Sequence, residues 1–160
     1  MMPAMVRCRM LARAAALIVL VLALAVAGCG SDDGRGDYVK ALNQAQAQLR
    51  QRFTKLGSRI TPTSTPKQDQ RTLAAYEDVV HSTVNDLRAV DPPGGLDTLH
   101  QRFVAELAGY GTAVRDARQR LDSDNPRTIL AAQSRLKASL ARTGQQLNAA
   151  INAINDKIKG

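Results

Sequence analysis

The chain has 160 residues, of which 44% are apolar and 22% are charged, and its formal net charge is +8. This length allows one domain of ordinary size, and the composition is that of a globular protein, which excludes a disordered chain and a collagen-like repeat. The average hides an uneven distribution, because residues 1–28 contain no acidic side chain and all four methionines. The remainder of the chain has the composition of a soluble domain.

The first 28 residues are predicted to be a signal peptide. Arg7, Arg9 and Arg13 form a positively charged region, and 14 uncharged apolar residues follow at 14–27. This order is typical of secretory signals. Because crossing a bilayer takes about 20 apolar residues, the shorter run disfavours an uncleaved transmembrane helix.

The four residues Val26-Ala27-Gly28-Cys29, directly after this run, resemble the lipobox of bacterial lipoproteins. The resemblance implies that the Cys29 thiol carries a diacylglyceryl group, that the chain is cut just before Cys29, and that the new amino group is often acylated too. Two acyl chains give stable anchoring, whereas one gives marginal membrane binding. We therefore expect a lipid-anchored protein on the extracytoplasmic side of the cell membrane. Cleavage would also remove Cys8, so the mature chain would have no internal disulfide.

The mature chain is predicted to be all-α. Residues 29–36 are rich in glycine and aspartate and are predicted to be a flexible tether of about 15 Å. After it, apolar residues three or four apart indicate four amphipathic helices, and no stretch alternates with the period of a strand. The predicted helices are 37–60, 66–90, 96–121 and 126–158. With connections this short, residues 37–160 are predicted to form an antiparallel up-down-up-down four-helix bundle.

Local signals support two of the helix starts. Thr65-Pro66-Lys67-Gln68 fits a capping box with proline at the first helical position. Asn125-Pro126 likewise combines a capping residue with proline. In the third helix, Gly109 and Gly111 each cost roughly 1 kcal/mol relative to alanine, which predicts a bend or a close contact between helices.

The direction of the chain also predicts which end of the bundle faces the membrane. With Cys29 in the bilayer, the first helix would point away from it. The turn at 91–95 and the C-terminus would then lie near the membrane, and the segments 61–66 and 122–125 would lie at the far end.

Positive charge is concentrated in the first and last helices, which are neighbours in an antiparallel bundle. We therefore predict a basic side formed by Arg50, Arg52, Lys55, Arg135, Lys137 and Arg142. Such a side suits anionic lipid or cell-wall polymer; the alternative is a solvated face that favours solubility. Export excludes nucleic acid as a partner, and an unidentified protein partner remains open.

Motifs for catalysis are absent from the sequence, which contains no Gly-x-Ser-x-Gly, no phosphate-binding loop and no Cys-x-x-Cys-His. Asp78 and His81, and likewise Asp97 and His100, stand one helical turn apart, as the ligands of di-metal bundles do. The first and last helices lack the further inward carboxylates that such a site needs. We therefore expect exposed histidines, no metal, no cofactor and no enzymatic activity.

Residues 37–160 also resemble small helical lipoproteins of high-GC bacteria, and the 16 Arg against 6 Lys and the abundant Ala of the whole chain fit such a genome. The function expected from the sequence is a non-catalytic structural or interaction role at the cell envelope. The alternative is a solute- or metal-binding module with a pocket between helices. A cavity of a few hundred Å³ would favour that alternative.

Overall fold

The computed structural model describes residues 34–61, 63–121, 123 and 125–160, which form four α-helices and no strand. The helices are α1 (Arg35–Gly57), α2 (Pro66–Arg88), α3 (Asp97–Arg120) and α4 (Pro126–Lys159). The prediction of an all-helical fold is confirmed, and every boundary lies within three residues of its predicted position. Arg35 and Gly36, which were predicted to belong to the tether, form the first turn of α1.

The two predicted caps are present. At the start of α2, the backbone N–H of Gln68 donates to Thr65 Oγ1 over 3.3 Å, and the Thr65 N–H donates to Gln68 Oε1 over 2.7 Å. At the start of α4, the Arg127 N–H donates to Asn125 Oδ1 over 2.9 Å. These bonds satisfy N–H groups that have no partner within the helix.

Consecutive helices pack against each other, α1 on α2, α2 on α3 and α3 on α4. Their apolar faces share one core, whose largest fully buried side chains are Leu87, Ile154 and Val80. α1 and α4 do not pack closely along their lengths. Where the start of α1 meets the end of α4, the Arg35 guanidinium donates to the Ile158 carbonyl over 3.2 Å. The α1–α4 seam is thus tied at one end and open elsewhere.

The close packing of α3 against α4 has a simple cause in the sequence of α4. Ala132, Thr143 and Ala150 are buried, and spacings of 11 and 7 residues put them on one side of the helix. Small side chains allow two helix backbones to approach. Leu147 and Ile151 of α4 line the seam with α1, so we infer that the row of small residues lies toward α3.

A second close approach joins α2 and α3 at Gly111. A Cβ on this glycine would lie 3.2 Å from Cγ1 of Val80, a residue that is only 1% exposed. A larger side chain would have to displace a side chain that has no room to move. Gly111 therefore makes the predicted close contact, whereas Gly109 is exposed and has open space where its Cβ would be.

Among the residues that the structure describes, no helix combines the length and the apolar character needed to cross a membrane.

Candidate functional site

The six basic side chains singled out in the sequence are all exposed. They are Arg50, Arg52 and Lys55 on α1, and Arg135, Lys137 and Arg142 on α4. In the described part of the chain, the ion pairs join Glu77 of α2 to Arg115 and Arg118 of α3. None of the six takes part in them, so their charge is available to an external anion.

The six charges do not all lie beside the α1–α4 seam. Arg50 lines it, opposite Gly144 of α4. Lys137 precedes Gly144 by seven residues and is therefore on the same side of α4, two turns away. Arg135 and Arg142 precede Gly144 by nine and two residues, which at about 100° per residue puts both on the opposite side of the helix. The seam thus has two of the charges at its edge, one from each helix.

His100 is buried, whereas the sequence predicted an exposed histidine. Its side chain is 6% exposed, and its Nε2 lies 3.0 Å from the Leu87 carbonyl oxygen. Since that oxygen can only accept, Nε2 is the donor, and in the neutral imidazole Nδ1 then accepts the hydroxyl proton of Tyr38 over 3.1 Å. The imidazole thereby joins the start of α1 to the end of α2 and the start of α3. His81 is exposed, as predicted.

A second tyrosine fixes the other end of α1. The Tyr76 hydroxyl donates to the Phe53 carbonyl over 3.0 Å, and the two rings meet edge to face with centroids 4.9 Å apart. Burial raises the pKa of Tyr38 and of Tyr76 to about 12. Burial and the neighbouring Tyr76 phenol also raise the pKa of Tyr110. α1 is therefore held near both ends by protonated tyrosines.

The described residues bring no three His, Cys, Asp or Glu side chains together in a way that would hold a metal ion. Both nitrogens of His100 are engaged by protein groups, so that ring offers no lone pair to a metal.

An apolar groove follows the α1–α4 seam. α1 and α4 provide its walls, with Leu42 and Leu49 on one side and Leu147 on the other, and Leu87 and Leu107 lie on its floor. Its inner section has about 50 Å³ of space that water could occupy, and about 550 Å³ when the mouth open to solvent is included. We call this feature the seam groove.

The seam groove continues along the bundle into a second section. Phe53, Tyr110, Leu140 and Gly144 line that section, which has about 60 Å³ of space for water and about 570 Å³ with its open mouth. A Cβ on Gly144 would meet no atom within 4 Å. From Leu140 to Asn155 the groove extends about 22 Å along α4, at 1.5 Å per residue.

Asn155 is one of several polar residues that line the groove. Its Oδ1 is buried and has no hydrogen-bond partner among the described residues. Thr83, another polar lining residue, donates its hydroxyl to the Val79 carbonyl of its own helix over 2.9 Å. Asn155 was not among the residues predicted from the sequence, although it stands four residues after Ile151 and so extends an apolar face with an amide.

A separate polar cleft of about 370 Å³ lies at the connection between α1 and α2. It is lined by hydroxyl and amide groups and by the exposed Arg59 and Arg71. Ser64, also in the lining, donates its hydroxyl to Asp69 Oδ1 over 2.7 Å. The buried carboxylate of Asp69 therefore already has a hydrogen bond. This cleft falls in the segment that the sequence predicted to be farthest from the membrane.

The predicted signal peptide and the predicted lipid attachment at Cys29 lie outside the described residues. Comparison with models of protein families, with curated proteins and with solved structures finds no match for this chain.

Proposed function

We propose that this protein is a lipid-anchored, extracytoplasmic helical bundle that contacts anionic lipid or cell-wall polymer at the cell envelope without catalysis. The observation that carries the proposal is the set of exposed basic side chains on α1 and α4 that no carboxylate of the described residues pairs with. Charges left free in this way attract anionic surfaces, each by about 1 kcal/mol near a membrane.

Anchoring at Cys29 is part of the proposal and rests on the lipobox resemblance. In the proposed topology the four helices alternate in direction. Two bonds support this: Arg35 links the start of α1 to the end of α4, and His100 links the start of α3 to the end of α2. The polar cleft with Arg59 and Arg71 would then face away from the membrane, toward the wall.

Anchoring can be tested by labelling cells that express the full chain with a radioactive fatty acid. The wild type should incorporate the label and fractionate with membranes, whereas Cys29→Ala should do neither. A Cys29→Ala variant that stays labelled would contradict the anchor.

The role of the exposed basic side chains on α1 and α4 can be tested by sedimentation with anionic vesicles and with purified wall polymer over a range of salt concentrations. One variant changes Arg50, Arg52 and Lys55 to Gln, and another changes Arg135, Lys137 and Arg142 to Gln. A matched control removes three exposed charges from α2 and α3 by changing Arg88, Arg102 and Arg120 to Gln. Both test variants should lose salt-sensitive binding. Equal losses in the control would show only a dependence on net charge and would reject a specific role for the charges of α1 and α4.

The second candidate function, a binding module with a pocket between helices, is favoured by the seam groove. The water-accessible space in either section is well below the roughly 300–1,000 Å³ of small-molecule pockets. A compact solute would therefore fit poorly, and only a long, thin ligand that lies in the open seam is compatible with these dimensions.

A further inference from the structure

We infer that the polar cleft between α1 and α2 binds an anionic group, phosphate or carboxylate, of a hydroxyl-bearing wall polymer through Arg59 and Arg71. This site deepens the proposed function and rests on it, because the anchor determines which anions the cleft meets. Neither arginine belongs to the basic side chains of α1 and α4 that carry the proposed envelope contact.

Charge is divided unevenly between the two ends of the bundle. The second halves of α1 and α3 and the first halves of α2 and α4, with their connections, are residues 47–76 and 109–142. These segments carry 13 Lys and Arg against 4 Asp and Glu, whereas the other residues from 35 onward carry 6 against 8. We call the two positive segments together the basic end. Such a concentration of one sign of charge attracts anions.

Contacts between the helices bring these segments together. The Tyr76 hydroxyl donates to the Phe53 carbonyl, the ring centroids of Phe53 and Tyr110 lie 5.6 Å apart, and Leu140 lines the same section of the seam groove. These four residues come from the four different helices, and all of them belong to the positive segments. The positive excess is therefore gathered in one region of the molecule.

The cleft lies at the basic end, and two arginines line it. It has about 370 Å³ of space that water could occupy, and about 700 Å³ with its open mouth, which is within the range of ligand sites. Arg59 follows α1 and Arg71 belongs to α2, and both side chains are exposed. Neither forms an ion pair with a carboxylate of the described residues. Guanidinium groups in this state bind phosphate or carboxylate through paired hydrogen bonds.

Hydrogen bonds hold the lining of the cleft in place. The Ser64 hydroxyl accepts from the Thr61 N–H over 3.2 Å and donates to Asp69, whose carboxylate is buried and does not line the cleft. The capping box of Thr65 and Gln68 fixes the turn that follows. A site that is already ordered binds without the cost of ordering its loop. The hydroxyl and amide groups of the lining can exchange hydrogen bonds with a sugar or polyol, which suits a polymer that carries hydroxyls between its charges.

The position of the cleft favours a polymer over the membrane as its partner. α1 has 23 residues and is therefore about 34 Å long. With Cys29 anchored and α1 directed away from the bilayer, as proposed, the cleft lies at the far end of α1. The Debye length is about 8–10 Å at physiological salt, so the charge of lipid head groups is screened over that distance. A wall polymer meets the cleft directly.

A polymer also gains from the other positive charges of the basic end. Once one anionic group occupies the cleft, the neighbouring groups of the same chain are held at a high local concentration beside those charges. We therefore expect a polymer to bind much more tightly than a single phosphate, with an affinity that falls as the salt concentration rises.

The test measures the fluorescence anisotropy of a labelled glycerol phosphate oligomer with the full chain in nanodiscs of a zwitterionic phospholipid. Changing Arg59 and Arg71 to Gln should weaken binding about tenfold or more, because two charged hydrogen-bond donors are lost. The matched control changes Arg88 and Arg102, exposed residues outside the basic end, to Gln and should weaken binding less than about twofold, since their charge is screened. Equal losses in the two variants, or full affinity in the first, would overturn the site.

A second pair of variants tests the cleft without changing any charge. Thr63→Trp puts a large side chain into the lining and should weaken binding of the oligomer about as much as the loss of the two arginines. Thr98→Trp, at an exposed position of α3 outside the basic end, should leave binding unchanged. Undiminished binding by a folded Thr63→Trp variant would reject the cleft.

Other probes test the class of ligand. Oligogalacturonate carries carboxylates in place of phosphates, and dextran carries hydroxyls without charge. Binding of either anionic oligomer that is lost on changing Arg59 and Arg71 supports the class, whereas binding of neither, or equal binding of dextran, overturns it. Inorganic phosphate that bound as tightly as the oligomer would overturn the assignment to a polymer. A loss of binding by the Arg59 and Arg71 variant to phosphatidylglycerol vesicles alone would overturn it in favour of lipid.

The same assay separates a failure of this site from a failure of the proposed function. If binding of the oligomer is lost on changing the basic side chains of α1 and α4 but not on changing Arg59 and Arg71, the envelope contact stands and the cleft is rejected. If it is lost only on changing Arg59 and Arg71, the cleft stands and those side chains of α1 and α4 are not the contact. Cys29→Ala should bind the oligomer as tightly as the wild type, so a failure of the anchor would leave this measurement intact.

Discussion

The two buried sides of α4 meet their neighbours differently. On the side that we assign to α3, the row Ala132, Thr143 and Ala150 presents small side chains, and the two helices pack closely. Toward α1, large apolar side chains such as Ile151 alternate with Gly144, and the helices stay apart. A row of uniformly small residues closes a helix pair, because the backbones can approach. A mixture of large residues and a glycine leaves gaps that the neighbouring helix does not fill.

α1 and α4 are also held in the bundle by different interactions. α4 is held by packing against α3 along its length, whereas α1 is fixed near its ends by hydrogen bonds of Tyr38 and Tyr76. Packing is insensitive to pH, but a bond that a phenol donates needs its proton. The attachment of α1 should therefore be lost before the packing of α3 against α4 when the pH is high enough to remove those protons.

The largest effect is expected at alkaline pH. Burial raises the pKa of Tyr38 and Tyr76 to about 12 in the folded protein, against about 10 in the unfolded chain. Between these values the unfolded chain loses tyrosyl protons that the folded protein keeps, so the free energy of unfolding falls as pH rises. These two tyrosines should leave the free energy of unfolding unchanged below pH 10 and lower it steeply toward pH 12.

Urea unfolding at pH 9 and pH 11, with tyrosinate absorbance recorded in parallel, measures this decline. Tyr38→Phe and Tyr76→Phe should each be less stable than the wild type at pH 9 and should each lose less stability on going to pH 11. A wild type as stable at pH 11 as at pH 9 would contradict the attachment of α1 by buried phenols.

The difference between the two sides of α4 can be tested by placing a leucine on each side in turn. Ala150→Leu forces a large side chain into the closed interface and should lower the free energy of unfolding by about 2–3 kcal/mol. Gly144→Leu points into the groove and replaces a glycine within a helix, so it should be neutral or stabilising by up to about 1 kcal/mol. Thermal or urea unfolding of both variants measures the difference, and equal costs would mean that the seam is as closed as the α3 interface.

The two histidines offer a comparison of a buried and an exposed imidazole. His100→Leu leaves the Tyr38 hydroxyl and the Leu87 carbonyl without partners and should cost about 2 kcal/mol. His81→Leu, at an exposed position of α2, should change stability by less than about 0.5 kcal/mol. The same unfolding assay distinguishes them, and a small effect at both positions would show that the buried hydrogen bonds contribute little.

The helices could be predicted from the sequence because their signals are local. The spacing of apolar residues indicates which face of a helix is buried. The caps at Thr65 and Asn125 use atoms within three residues of each other. The contact of Gly111 with α2 was also predictable in kind, since a glycine within a helix needs a reason. Its partner Val80 was not, because that pairing depends on how two helices meet in space.

The site was less predictable, for the same reason. His100 was expected to be exposed because the first and last helices lack the carboxylates of a metal site, yet its partners come from α1 and α2, 62 and 13 residues away in the chain. The buried oxygen of Asn155 was not predictable either, because its lack of a partner among the described residues depends on how the side chain packs. The basic residues of α4 could be named from composition, but their division between two sides of the helix depends on which side faces α1.

The smallest effect expected comes from the two glycines of α3, and it sharpens the contrast between closed and open contacts. Gly111→Ala gains helix propensity, but its Cβ would lie 3.2 Å from Cγ1 of the buried Val80, so a net loss of about 1 kcal/mol is expected. Gly109→Ala has the same gain without the contact and should stabilise by up to about 1 kcal/mol. Because the substitution and the helix are the same, the difference between the two variants in urea unfolding isolates the packing against α2. If Val80→Ala restored the stability of Gly111→Ala, the close approach of the two residues would be the cause of the loss. A Gly111→Ala variant as stable as Gly109→Ala would instead show that α2 and α3 can shift to accommodate the added methyl group.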